Sequence, residues 1–206
     1  MSRFTTLLIY ILLSATTHAQ PHWTNTIDTL ISTTHPRIFN GVVLITKDGQ
    51  PIYYACHGYR SLAKKTPLQL TDQFLVGSIT KQFTATLILQ QVQAGRISPN
   101  HTIRHYLPDM PQAWADSVTV QQLLNHTSGI TDWSKPLAHP PGSKFLYNNI
   151  NYALLGKITE HVTGRSYTTQ AAALFAACGM KTATIADTSK KRYKKLVKGH
   201  PETDSS

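Results

Sequence analysis

Acid is what this sequence has little of. Ten Asp and Glu stand against twenty Lys and Arg in 206 residues, a formal net charge of +10. Charged residues make up only 15% of the chain and hydrophobic ones 41%, which excludes a self-repelling disordered chain and reads as an ordinary globular protein. The scattered Asp109, Asp116 and Asp132 show no His-Glu-x-x-His or similar spacing, and none of the ten histidines joins a ligand pattern. No metal or other cofactor is therefore expected. Cysteine is nearly absent: Cys56 and Cys178 are too few for a zinc site, and they leave open either one disulfide or two separate buried thiols. Beyond the N-terminus no apolar run approaches the ~20 residues that span a bilayer.

What is present begins with a leader pattern. Arg3 precedes an apolar stretch densest from Leu7 to Leu13, and small residues lead to Thr17-His18-Ala19. This is the layout of a secretory signal over residues 1–19, which predicts export to a periplasmic or extracellular space. The opposite end, residues 190–206, reads as a tail. It carries Lys190, Lys191, Arg192, Lys194, Lys195 and Lys198 before turning polar. Such a run is a solvated tail or a peripheral contact with an anionic envelope surface; export argues against nucleic acid as the partner. The oligomeric state is not legible.

Between these ends, residues 20–189 read as one α+β domain. Trp23, Ile27, Leu30 and Ile31 fall at helical spacing within 23–33. Residues 41–47 and 51–56 read as strands joined by the tight-turn pair Asp48-Gly49. A helix is predicted from Ser78 to a stop at Gly95, with Ile79, Phe83, Leu87 and Val92 on its inner face. Further helices are predicted over 118–125, 149–162 (stopping at Gly164) and 167–178, with a proline-rich loop over 136–142. A lone hairpin is marginally stable. Either helices cover it or partner strands lie elsewhere.

Two short motifs carry chemistry. Ser78-Ile79-Thr80-Lys81 is a Ser-x-x-Lys; on a helix, residues three apart share a face, so the amine can lie beside the hydroxyl and help remove its proton. A second copy, Ser61-Leu62-Ala63-Lys64, sits in a polar stretch without apolar periodicity, whereas Ser78 opens a helix after Phe74-Leu75-Val76-Gly77. The second motif is Tyr147-Asn148-Asn149. A tyrosine near cations can act as a base, and a carboxamide can grip a substrate amide through donor and acceptor. His126 beside Thr127-Ser128-Gly129 lacks the Gly-x-Ser-x-Gly elbow and is set aside as a Ser/His pair. Lys181-Thr182-Ala183 approaches Lys-Thr-Gly but ends in alanine and follows a helix.

These segments, with Leu123–Ile130, Pro141–Gly156, Val162–Tyr167 and Gly179-Met180, occur in the order and spacing of the serine β-lactamase and penicillin-binding family. The chain resembles its class C-like and esterase-like branch from about Gly41 to Gly199. The resemblance implies a helical lobe beside an antiparallel sheet with flanking helices. It also implies an acyl-enzyme on Ser78, proton transfer assisted by Lys81, Tyr147 as base and Asn149 orienting the substrate amide. The substrates implied are amides, β-lactams or esters, including peptidoglycan peptides. The family's third motif, on a strand that completes the oxyanion hole, has no counterpart in this sequence. The expectation is therefore a truncated hydrolase whose activity depends on the strand it lacks; the alternative is a non-catalytic remnant or envelope-binding module.

Overall fold

The structure, a computed structural model, describes residues 22–33, 38–186, 195–197 and 199. The leader pattern of 1–19 and most of the basic and polar tail of 190–206 lie outside the described residues. The chain divides into two units, residues 1–72 with 197–206 and residues 73–196.

In the first unit, α1 (His22–Ser32) is followed by β1 (Gly41–Lys47) and β2 (Gln50–His57). The hairpin is antiparallel, Lys47 pairing with Gln50 across Asp48 and Gly49, both at positive φ. That is the geometry a two-residue hairpin turn demands. A register shift at Ile45/Thr46 leaves Ile52 outside the pairing. Helix α1 is tied to β2 by Tyr53, whose hydroxyl donates to Asp28 at 2.6 Å and whose ring meets Trp23 edge-on at 6.0 Å. On the alternate face, Leu44, Ile52 and Tyr54 are exposed. Two short strands missed in the sequence, β3 (Tyr59–Ser61) and β4 (Thr66–Pro67), form a second antiparallel pair. Buried Asp72 closes this region, accepting from Arg60 at 2.7 Å and from the Gln69 backbone at 2.9 Å.

The second unit is helical among its described residues. A 3-10 turn (Gly77–Ile79) leads into α2 (Thr80–Gln93), then α3 (Ile103–Tyr106), a 3-10 turn (Ala113–Asp116), α4 (Val120–Leu124), α5 (Asn149–Thr163) and α6 (Tyr167–Ala177). Its core joins Ile88 of α2, Ile103 of α3, Leu123 of α4 and Leu154, Leu155 and Ile158 of α5. The helix predicted over 118–125 is shorter: the Val118 carbonyl accepts from Ile103, and Thr119 forms a capping box with Gln122.

The inner face of α2 matches expectation at Leu87 and in part at Phe83 and Val92, and departs from it elsewhere. Thr84, Leu87, Ile88 and Gln91 are buried, while Ile79 is 59% exposed. Two polar residues can face inward because each finds a partner. Thr84 bonds the Tyr167 hydroxyl at 2.7 Å, and Gln91 accepts from Arg96 Nε at 2.8 Å. Both cysteines are free and exposed rather than buried. Cys56 falls on the uncovered face of β2 beside Tyr54, and Cys178 sits just past the end of α6. No helix among the described residues is long and apolar enough to cross a membrane.

Candidate active site

The site starts from a glycine. Gly77 has φ +53, and nothing lies within 4 Å of where its Cβ would be, so conformation rather than space calls for glycine there. The turn it makes places Ser78 in the 3-10 segment before α2, with Lys81 one turn on. Lys81 Nζ donates to Ser78 Oγ at 3.2 Å and to Asn149 Oδ1 at 2.8 Å. Ser78 Oγ shares a 2.6 Å hydrogen bond with the Tyr147 hydroxyl. All four sequence-predicted site residues therefore meet, Lys81 bridging the two motifs.

The second motif is positioned by the start of α5. Asn148 is the cap: its side-chain oxygen accepts from the Ile150 backbone at 2.6 Å, and its amide donates to the Thr131 carbonyl at 3.1 Å. Capping and site roles are divided between neighbouring asparagines, leaving Asn149 to face Lys81. Tyr147 is half exposed, and Lys81 Nζ lies 4.8 Å from its ring centre. The adjacent Lys81 amine, then the Ser78 hydrogen bond, pull its phenol below the ordinary value of 10.0. A cleft of about 370 Å³ opens beside Lys81, lined by Thr80, Thr84, Tyr152, Gly156 and Tyr167 among others.

Behind Tyr147 lies a network the sequence reading set aside. His126 is 8% exposed and sits at φ +60, its ring 4.6 Å from that of Tyr147 and 5.2 Å from that of Tyr152. Its Nδ1 lies 3.3 Å from the Asn148 backbone nitrogen and 3.1 Å from Asn151 Nδ2. Fully buried Ser128 donates to Asn151 Oδ1 at 2.8 Å and accepts from the Ile130 backbone. Ser128 is thus committed to holding Asn151 and is no nucleophile. The following turn needs Gly129, because a Cβ there would lie 2.4 Å from the His139 carbonyl. Only the Thr-Ser-Gly turn after α4 hinted at this region.

The remaining sequence candidates separate cleanly. Ser61 ends β3 and Lys64 lies in the turn after it, so the helical geometry that joins Ser78 to Lys81 is missing. Lys181-Thr182-Ala183 is not in a strand; the Thr182 carbonyl accepts from Gln73. Among the described residues no three His, Cys, Asp or Glu side chains gather as a metal site.

Known proteins resemble this chain in sequence and in fold. The sequence matches the family described as Beta-lactamase over residues 27–202. Protein flp of Staphylococcus aureus is 31% identical over 151 residues, 61% of this chain and 30% of that protein. The penicillin-binding protein of Bacillus halodurans superposes with a TM-score of 0.68 at 27% identity, covering 77% of this chain and 57% of that one. D-alanine carboxypeptidase AmpC from Burkholderia cenocepacia gives a TM-score of 0.60 at 29% identity, covering 68% and 42%. The chain spans about a third of the length of the curated relatives it matches.

Proposed function

Because the chain belongs to the Beta-lactamase family, with the penicillin-binding type of fold and of hydrolase, we propose that it acts by acyl transfer through Ser78. The observation that carries the reading is the meeting of Ser78 Oγ with Tyr147 at 2.6 Å and Lys81 at 3.2 Å. In this mechanism the Tyr147 phenolate takes the Ser78 proton as Oγ attacks a carbonyl. The tetrahedral intermediate then collapses, the proton passes to the departing amine or alkoxide, and water later releases the acyl group. Lys81 holds Ser78 and favours the phenolate. Asn149, anchored to Lys81 through Oδ1, keeps its amide N–H for a substrate carbonyl. The substrates proposed are small β-lactams, esters or peptidoglycan peptides, met outside the cytoplasm. The D-alanine carboxypeptidase likeness supports the peptide class.

Developing negative charge needs two donors. The Ser78 backbone N–H, at the start of its helix, is one. The unit that contains it holds no strand among its described residues. Lack of a second donor costs roughly 3–4 kcal/mol of transition-state stabilisation. We propose that a polypeptide supplying a partner strand as second donor raises the rate of acylation at Ser78. The test is intact mass after a fluorescent penicillin and a fluorophosphonate, beside Ser78→Ala. An adduct absent from the variant, and faster with the strand polypeptide, is expected. No adduct under either condition, on folded protein, would sink the hydrolase reading and leave the envelope-binding one.

A further inference from the structure

We propose that His126 is a positioning residue for Tyr147, holding it only while the imidazole is neutral, so that acid releases the segment. The inference deepens the acyl-transfer reading and rests on it for function, though not for its structural content. The Asn148 backbone N–H can only donate, so Nδ1 must be an acceptor and the ring proton lies on Nε2. Asn151 agrees independently. Ser128 Oγ receives the Ile130 N–H and gives its one proton to Asn151 Oδ1, which turns Asn151 Nδ2 toward the same Nδ1. The His126 carbonyl meanwhile accepts from Leu146 at 2.7 Å. One residue thus grips the chain on both sides of Tyr147 and packs a face of its ring.

A proton on Nδ1 would make this acceptor a donor facing two other donors, Asn148 N–H and Asn151 Nδ2. The titratable groups facing the imidazole among the described residues are Lys81 from α2, Tyr147 from the loop and Tyr152 from α5. Lys81 adds repulsion to the cost of burying a charge, and both hold the imidazole below its ordinary value. The left-handed backbone at His126 narrows the useful replacements. Asparagine tolerates that conformation and offers a short acceptor that does not titrate.

The experiment is an NMR titration of the chain labelled in histidine nitrogens and tyrosine ring carbons, for wild type, His126→Asn and His126→Ala. Wild type should show the Nε2–H form, titrating below pH 6.5, with the Tyr147 signal moving in step. In His126→Asn the Tyr147 signal should keep its position and lose that step. In folded His126→Ala it should shift at neutral pH, and acylation of Ser78 should fall about a hundredfold, the scale of a misplaced catalytic group. A Tyr147 signal indifferent to His126 titration, or unmoved in His126→Ala, would overturn the proposal. If no variant acylates, the acyl-transfer reading fails while the tyrosine signals still decide this one. If His126→Ala does not fold, the asparagine variant decides.

Discussion

Tyr147 owes its lowered pKa to neighbours rather than burial, and this makes the role of Lys81 measurable apart from turnover. Removing the cation in Lys81→Met should move Tyr147 ionisation toward its ordinary range, so the phenolate fraction at neutral pH falls and the acid limb of acylation shifts to higher pH. The check is an ultraviolet difference titration against Tyr147→Phe, with acylation expected to drop by roughly 10²–10⁴. An unmoved titration would remove Lys81 from the proton path. His126 acts in the opposite sense on stability. Its native pKa lies below the 6.5 of an unfolded histidine, so between the two values the unfolded chain binds more protons. Its contribution is complete above about pH 6.5 and is lost as pH falls toward the native pKa. A melting temperature that declines over that range in wild type, and less in His126→Asn, is the expected result. Ser78, Lys81, Tyr147 and Asn149 were legible because each pair is close in sequence. His126, Ser128 and Asn151 were not, since their meaning arises only where the turn after α4 meets the start of α5.

Elements were legible where one local rule governs them. Asp48-Gly49 fixed the hairpin, and Gly164, at φ +65 after Thr163, stopped α5 at the expected place. Rules failed where partners came from afar. The polar part of the α2 face was missed because Thr84 and Gln91 are buried through Tyr167 and Arg96, which apolar spacing does not register. The strands β3 and β4 escaped notice because two or three residues carry no period. Asn148 shows how an element sets the site. Replacing it with alanine removes the α5 cap and should cost about 1 kcal/mol, measurable by denaturant unfolding. Because Asn149 is the first residue of that helix, acylation should fall by more than the lost stability explains. An activity unchanged in a destabilised Asn148→Ala would mean that Lys81 alone orients Asn149.

At the scale of the whole molecule the two units have unequal resources. Among the described residues the second encloses thirteen buried apolar residues in one cluster, whereas the first ties α1 to its hairpin through Tyr53 among other contacts and leaves Leu44, Ile52 and Tyr54 exposed. A two-stranded sheet has an edge on every strand and little area to bury, so its opening should cost less than that of a packed helical core. The donated proton of Tyr53 matters here, because its phenol is pushed up to about 12 by the hydrogen bond to Asp28. That contact contributes below the ordinary tyrosine value of 10.0 and is lost as pH rises through about 12. Hydrogen exchange should therefore separate the chain into two stability classes. Amides of α1 and β2 should exchange through a low-energy opening that Tyr53→Phe lowers further, while those at Ile88, Leu154 and Ile158 exchange only on global unfolding. Exchange of both groups with one common free energy would mean that the units unfold as a single body. Tyr53→Phe would then lower the exchange free energy of both groups together.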